Sequence, residues 1–100
     1  MSNPIKKYTA VTRLVEMPDK IIPGEIVVLC ADETGREPWS AHLLCPCGCG
    51  DVVSLPLVGS GPRWEIVELR ENKFTIVPSV SRIVGCKSHF FIRKSEVVWA

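Results

Sequence analysis

The stretch Trp39-Ser40-Ala41-His42-Leu43-Leu44-Cys45-Pro46-Cys47-Gly48-Cys49-Gly50-Asp51-Val52-Val53-Ser54-Leu55-Pro56-Leu57-Val58 places three thiols within five residues, between two strand-like runs. Alternate residues of an extended chain point the same way, so Cys45, Cys47 and Cys49 can face one side. Pro46 stiffens the segment, while Gly48 and Gly50 permit tight turns around an ion whose bonds to sulfur are about 2.3 Å long. A fourth cysteine returns in Gly85-Cys86-Lys87-Ser88-His89. A thiol cluster with one distant thiol ties two segments of a small protein to a single soft metal ion. Zinc is the expected ion, because thiolates suit its tetrahedral, redox-silent coordination. Cys45, Cys47, Cys49 and Cys86 would make a closed structural site. An alternative set takes two of the clustered thiols with Cys86 and His89, whose C-x-x-H spacing also suits zinc. Cys30 lies in an apolar run and reads as a small core hydrophobe.

Working outward, apolar residues recur at period two almost everywhere, which predicts strands. Expected strands are Tyr8 to Glu16, Glu25 to Cys30, Trp39 to Leu44, Asp51 to Val58, Arg63 to Arg70 and Lys73 to Val77. A C-terminal hairpin is expected from Phe90-Phe91-Ile92 and Val97-Val98-Trp99, with its turn at Arg93 to Ser95. The continuous run Glu25 to Cys30 predicts a strand buried on both faces. Pro56 within an apolar run predicts an edge strand or a bend. Turn signals at Pro18-Asp19, Pro23-Gly24, Glu33-Thr34-Gly35, Gly59-Ser60-Gly61-Pro62 and Glu71-Asn72 separate the runs. No stretch of ten residues carries a helical stripe free of proline, glycine or dense β-branching. The fold expected is all-β: a compact small barrel or sandwich-like sheet of about seven or eight short strands, stapled by the metal site.

One hundred residues make a single domain, 1–100, whose core is thin enough for a metal clip to matter. With 46% hydrophobic and 23% charged residues the chain has an ordinary globular composition. A net charge of +1 argues against nucleic-acid binding by phosphate neutralisation. The C-x₂-C spacing of zinc ribbons is also missing. No apolar run reaches the roughly 18–20 residues that cross a bilayer, so no membrane partner is expected. The segment Met1 to Lys7 lacks the apolar region of a secretory signal. Five cysteines cannot all pair within one chain, and clustered cysteines in the expected compartment, the reducing cytoplasm, read as metal ligands. Trp39, Trp64 and Trp99 read as core or rim packing.

If thiols fill the metal shell, both histidines are released for other work. His42 precedes the cluster by three residues, and His89 follows Cys86 by three. Ser88 adjoins His89, and Ser79 and Ser81 lie just upstream. A hydroxyl held against an imidazole is the kernel of a nucleophile–base pair. Neighbouring residues of a strand face opposite sides, so Ser88 and His89 should not pair with each other. His42 with Ser88, or His89 with Ser79, are the natural couples. A histidine beside a metal site also serves simply to hold a ligand or the backbone in place.

The strings His42-Leu43-Leu44-Cys45-Pro46-Cys47-Gly48-Cys49-Gly50, Leu55-Pro56-Leu57, Trp64, Val77-Pro78-Ser79-Val80, Cys86-Lys87-Ser88-His89-Phe90-Phe91-Ile92 and Val97-Val98-Trp99-Ala100 resemble the BubE-like family of small bacterial proteins. Members of that family are encoded beside ubiquitin-like proteins and relatives of ubiquitin-activating and ubiquitin-conjugating enzymes, in operons linked to phage defence. The resemblance runs from about residue 42 to the end. It implies a peptidase that trims or removes a ubiquitin-like protein by serine chemistry, with a zinc that holds the fold. It places the metal on Cys45, Cys47, Cys49 and Cys86, and the catalytic candidates at His42, Ser79, Ser88 and His89. Ser88 as nucleophile with His42 as base, and His89 nearby, is the expected arrangement, since His42 and Ser88 are tethered to the same ion. Ser79-Val80-Ser81-Arg82 departs from the Ser-Ile-Gly-Asn pattern of the family. The competing expectation is a zinc-bound adaptor, without catalysis, that recruits a conjugation enzyme or its target.

Overall fold

The alternating runs become short strands. The computed structural model describes residues 4–82 and 85–100. Its strands are β1 (Ala10–Leu14), β2 (Glu25–Cys30), β3 (Pro38–Leu44), β4 (Val52–Pro56), β5 (Glu65–Glu68), β6 (Phe74–Ser81), β7 (His89–Arg93) and β8 (Glu96–Trp99). The only helical piece among the described residues is a 3-10 turn at Arg70–Asn72. No described helix is long and apolar enough to cross a membrane.

The strands form two four-stranded sheets, ordered β1-β2-β3-β4 and β5-β6-β7-β8. In the first, β1 runs parallel to β2 and the other pairs are antiparallel. The second is an antiparallel meander. The arrangement is a sandwich rather than a closed barrel. One core lies between the sheets: Ile26, Val28, Ala41, Leu43, Val53 and Leu55 meet Phe74, Ile76, Val80, Phe90 and Ile92. Cys30 is buried in that core. Val27 is also buried, so β2 is covered on both faces as its unbroken apolar run requires. β4, which ends at Pro56, is an edge strand.

A segment ahead of β1 crosses from one sheet to the other. Lys7 bridges to Glu96 on β8, Val97 N donates to Lys6 O, and Ile5 N donates to Pro46 O in the cysteine loop. Tyr8 is fully buried there, its hydroxyl donating to Leu44 O at 2.5 Å. The three tryptophans sit at the rim: Trp39 and Trp99 are exposed, and Trp64 packs partly against the core.

β1, β4 and β5 are shorter than the runs that predict them, and β6 is longer. β6 passes through Val77-Pro78 and continues to Ser81. Its register with β7 runs Ile76↔Ile92, then Val80↔Phe90, so Val77, Pro78 and Ser79 together oppose Phe91 alone. The proline is tolerated because it sits in this bulge, where no ladder hydrogen bond is required of it.

Candidate functional site

The β3–β4 connection carries Cys45, Cys47 and Cys49, and the β6–β7 connection carries Cys86. The thiols therefore join the two sheets at one end of the sandwich. Cys45 Sγ lies 3.5 Å from both Cys47 Sγ and Cys86 Sγ. All four sulfurs fall within 4.8 Å of one another, a group that could hold a metal ion. Four sulfurs at about 2.3 Å from a tetrahedral ion stand about 3.8 Å apart, so the thiols present fit such an ion. Among the described residues His89 is outside this donor group. Local sequence explains the curl of the loop. Gly48 and Gly50 adopt φ of 89° and 87°, where a side chain is strained. Cys45 N donates to Asp51 O, and Gly48 N to Cys45 O.

The cluster's electrostatics are uneven. Burial pushes the Cys45 thiol up to about 12. The Ser88 hydroxyl, 3.1 Å from Cys86 Sγ, and the Ser88 backbone N–H bring Cys86 down to about 6. Arg82 lies over the same sulfurs. Its Nη1 is 3.1 Å from Cys86 Sγ and 3.6 Å from Cys49 Sγ, and its Nη2 is 3.3 Å from Asp51 Oδ2. The Arg82 side chain is only 14% exposed, and its backbone N donates to Ser88 O at 2.8 Å. A fixed cation among clustered thiolates offsets the negative charge that four of them gather around one divalent ion. Sequence reasoning marked Arg82 only as a departure from a pattern. Its spacing four residues before Cys86 was the available signal.

The hydroxyl–imidazole couples lie on the outer faces of the two sheets. On the second sheet, His89 Nε2 is 2.9 Å from Ser79 Oγ. The bulge places Ser79 diagonally from His89, whose direct partner across the ladder is Ser81. The Trp64 indole N–H donates to Ser79 O at 3.2 Å, fixing the serine backbone from the β5 side. The Phe91 ring lies 6.0 Å from the His89 ring, and Arg93 stacks over Phe91 at 4.2 Å. On the first sheet, His42 is held between two serines, Nε2 2.7 Å from Ser40 Oγ and Nδ1 2.8 Å from Ser54 Oγ. Burial lowers the His42 pKa, favouring the neutral ring. The hydrogen bonds of the described residues thus join Ser79 to His89, Ser88 to Cys86, and His42 to Ser40 and Ser54. Ser40 and Ser54 were not singled out from the sequence. Ser40 stands two residues before His42 on the same strand face, a spacing that could have revealed it.

An all-β sandwich with a four-thiol centre beside a serine–histidine couple is the framework on which the comparisons fall. Residues 14–100 match the family described as bacterial ubiquitination-like system serine protease (BubE), and the chain belongs to that family. No curated protein and no solved structure matches the chain.

Proposed function

We propose that this protein is a serine peptidase that processes the C-terminal tail of a bacterial ubiquitin-like protein, with Ser79 as nucleophile, His89 as its base and a zinc held by Cys45, Cys47, Cys49 and Cys86. The observation that carries the reading is the 2.9 Å contact between Ser79 Oγ and His89 Nε2, in a chain of a serine protease family. Ser79 stands in a bulge, a device that turns a side chain out of the regular ladder. In the reaction His89 accepts the hydroxyl proton while Ser79 Oγ attacks the scissile carbonyl carbon. The proton then passes to the departing amine, leaving an ester on Ser79. Water, deprotonated by His89, cleaves that ester and restores the hydroxyl. A zinc held by Cys45, Cys47, Cys49 and Cys86 would supply cross-linking and charge rather than a reacting group. The cytoplasm and phage defence are the setting that this reading assigns.

The expected couple of Ser88 with His42 becomes the second reading. His42 stands three residues before Cys45, and Ser88 Oγ lies 3.1 Å from Cys86 Sγ. In our assignment Ser88 supports the Cys86 thiolate and His42 supports the β3–β4 ladder. Labelling with a fluorophosphonate probe, followed by peptide mapping, distinguishes the two. Our reading expects the adduct on Ser79 and its loss in Ser79→Ala and His89→Ala. An adduct on Ser88 that vanishes in His42→Ala would overturn the assignment, and no adduct with any serine would favour the adaptor role.

A further inference from the structure

β6 is longer than the strand that flanks it. β5 pairs with it only from Glu68↔Phe74 to Glu65↔Val77. At Trp64 the chain leaves the sheet, its backbone N donating to the O of Pro56, the last residue of β4. Four residues of β6, Pro78 to Ser81, extend past the end of β5.

The backbone directions along this stretch follow from its hydrogen bonds. Lys73 O accepts from Leu69 N, so odd-numbered positions face the β5 side. Arg82 N donates to Ser88 O, so even-numbered positions face β7. The bulge adds two residues and preserves this parity. Ser79 O, accepting from the Trp64 indole, lies on the β5 side as the alternation requires. Ser81 is the next odd position. Its partner across the ladder, His89, belongs to the pair that exchanges no backbone hydrogen bonds. The Ser81 N–H and C=O therefore point to an edge where no described backbone group pairs with them. A groove of about 380 Å³, lined by Leu57, Arg63, Trp64, Glu65, Val77 and Pro78, opens where β5 ends and reaches Pro78, the residue before Ser79.

We infer that this edge of β6 is the substrate track: the tail of the ubiquitin-like protein adds as a short strand beside Ser79–Ser81, in the line β5 has vacated. This rests on the proposed function and supplies its means of recognition. Ser81 N–H donates to a tail carbonyl, and Ser81 C=O accepts from a tail N–H, which delivers the chain beside the Ser79 hydroxyl. The Trp64 indole lies across the approach at Ser79 O, so the passing residues must be small, and glycine fits. A flexible, extended, glycine-bearing tail meets these demands, whereas a folded segment cannot enter an edge one strand wide.

The test separates backbone from side chain. In a Ser79→Ala background, binding of a ubiquitin-like protein with three residues beyond its terminal glycine is measured by calorimetry. Ser81→Ala keeps the backbone N–H and should bind like the background. Ser81→Pro removes an N–H that β7 does not use, and should weaken binding about tenfold. Should Ser81→Pro melt below Ser81→Ala, a tail N-methylated at the residue facing Ser81 gives the same measurement on the unaltered edge. Equal affinity for Ser81→Pro and Ser81→Ala, no effect of N-methylation, or no binding by any variant would overturn the inference. Fluorophosphonate labelling of the wild-type serine judges the proposed function separately.

Discussion

The two sheets each present a histidine hydrogen-bonded to serine on the outer face, with contacts of almost equal length, yet the settings differ. His42 lies in the regular β3–β4 ladder, opposite Ser54, with both ring nitrogens occupied by serine hydroxyls. His89 meets a serine that a bulge has displaced from its ladder, beside a groove and an incomplete sheet edge. The first arrangement closes on itself. The second leaves its hydroxyl where another chain can reach it. A short hydrogen bond to histidine is therefore a poor marker of a nucleophile by itself; irregular backbone and access are what set the two serine–histidine contacts apart.

Exchanging the serines tests that contrast most severely. Ser79→Ala should reduce cleavage of a ubiquitin-like precursor by about a thousandfold or more, while Ser40→Ala and Ser54→Ala change it by no more than about threefold. Turnover assays alongside melting curves would settle this, and a large loss in Ser54→Ala would erase the distinction.

Metal removal probes the same contrast through stability. A cross-link between distant segments is worth about 2–4 kcal/mol by analogy with a disulfide, or about 10–25 °C in Tm for a domain of this size. Chelation or Cys86→Ser should produce a drop of that size, followed calorimetrically with metal content by mass spectrometry. The His89 imidazole resonances should broaden before those of His42, because the β6–β7 connection relies on Cys86 whereas five paired positions hold β3 to β4. Arg82→Met should have a smaller effect, speeding metal transfer to a chromogenic chelator about five- to tenfold with little change in Tm.

The weakest expected effect concerns the quieter histidine. Burial holds His42 below its ordinary 6.5, so the folded protein binds fewer protons there than the unfolded chain. The associated stability is complete above pH 6.5 and is lost as pH falls through the lowered folded value. The Tm of wild type should therefore decline relative to His42→Gln between pH 7 and pH 5, by about 2 °C or less. A widening in the opposite direction would mean that the ring is charged in its serine clasp.

Much of this architecture was legible because alternation is a local property. Glu25 to Cys30 emerged with its bounds intact, and the strands flanking the cysteines fell where expected. β6 outruns the β-branched and aromatic stretch Lys73 to Val77 that predicts it, and only the register against β7 shows that a bulge absorbs Pro78. Spacing alone brought the four cysteines together. Strand alternation offered both Ser79–His89 and Ser88–His42 as couples, and tethering to one ion favoured the latter. The reach of Ser88 toward Cys86, and of Arg82 across to Asp51, depends on how two loops from different sheets meet. Sequence pattern carries no record of such a meeting.

The division of thiols between the loops also bears on biosynthesis. Three of the clustered thiols belong to the first sheet's half of the chain and the fourth to the second's. A nascent chain emerging from the ribosome would display three exposed thiols well before Cys86 follows, an incomplete shell that holds metal loosely and is open to oxidation. Full loading becomes possible only when the two halves have docked. An ion held by all four thiols would thus act as a molecular receipt for completed assembly, and cellular metal supply would then govern how many finished molecules accumulate.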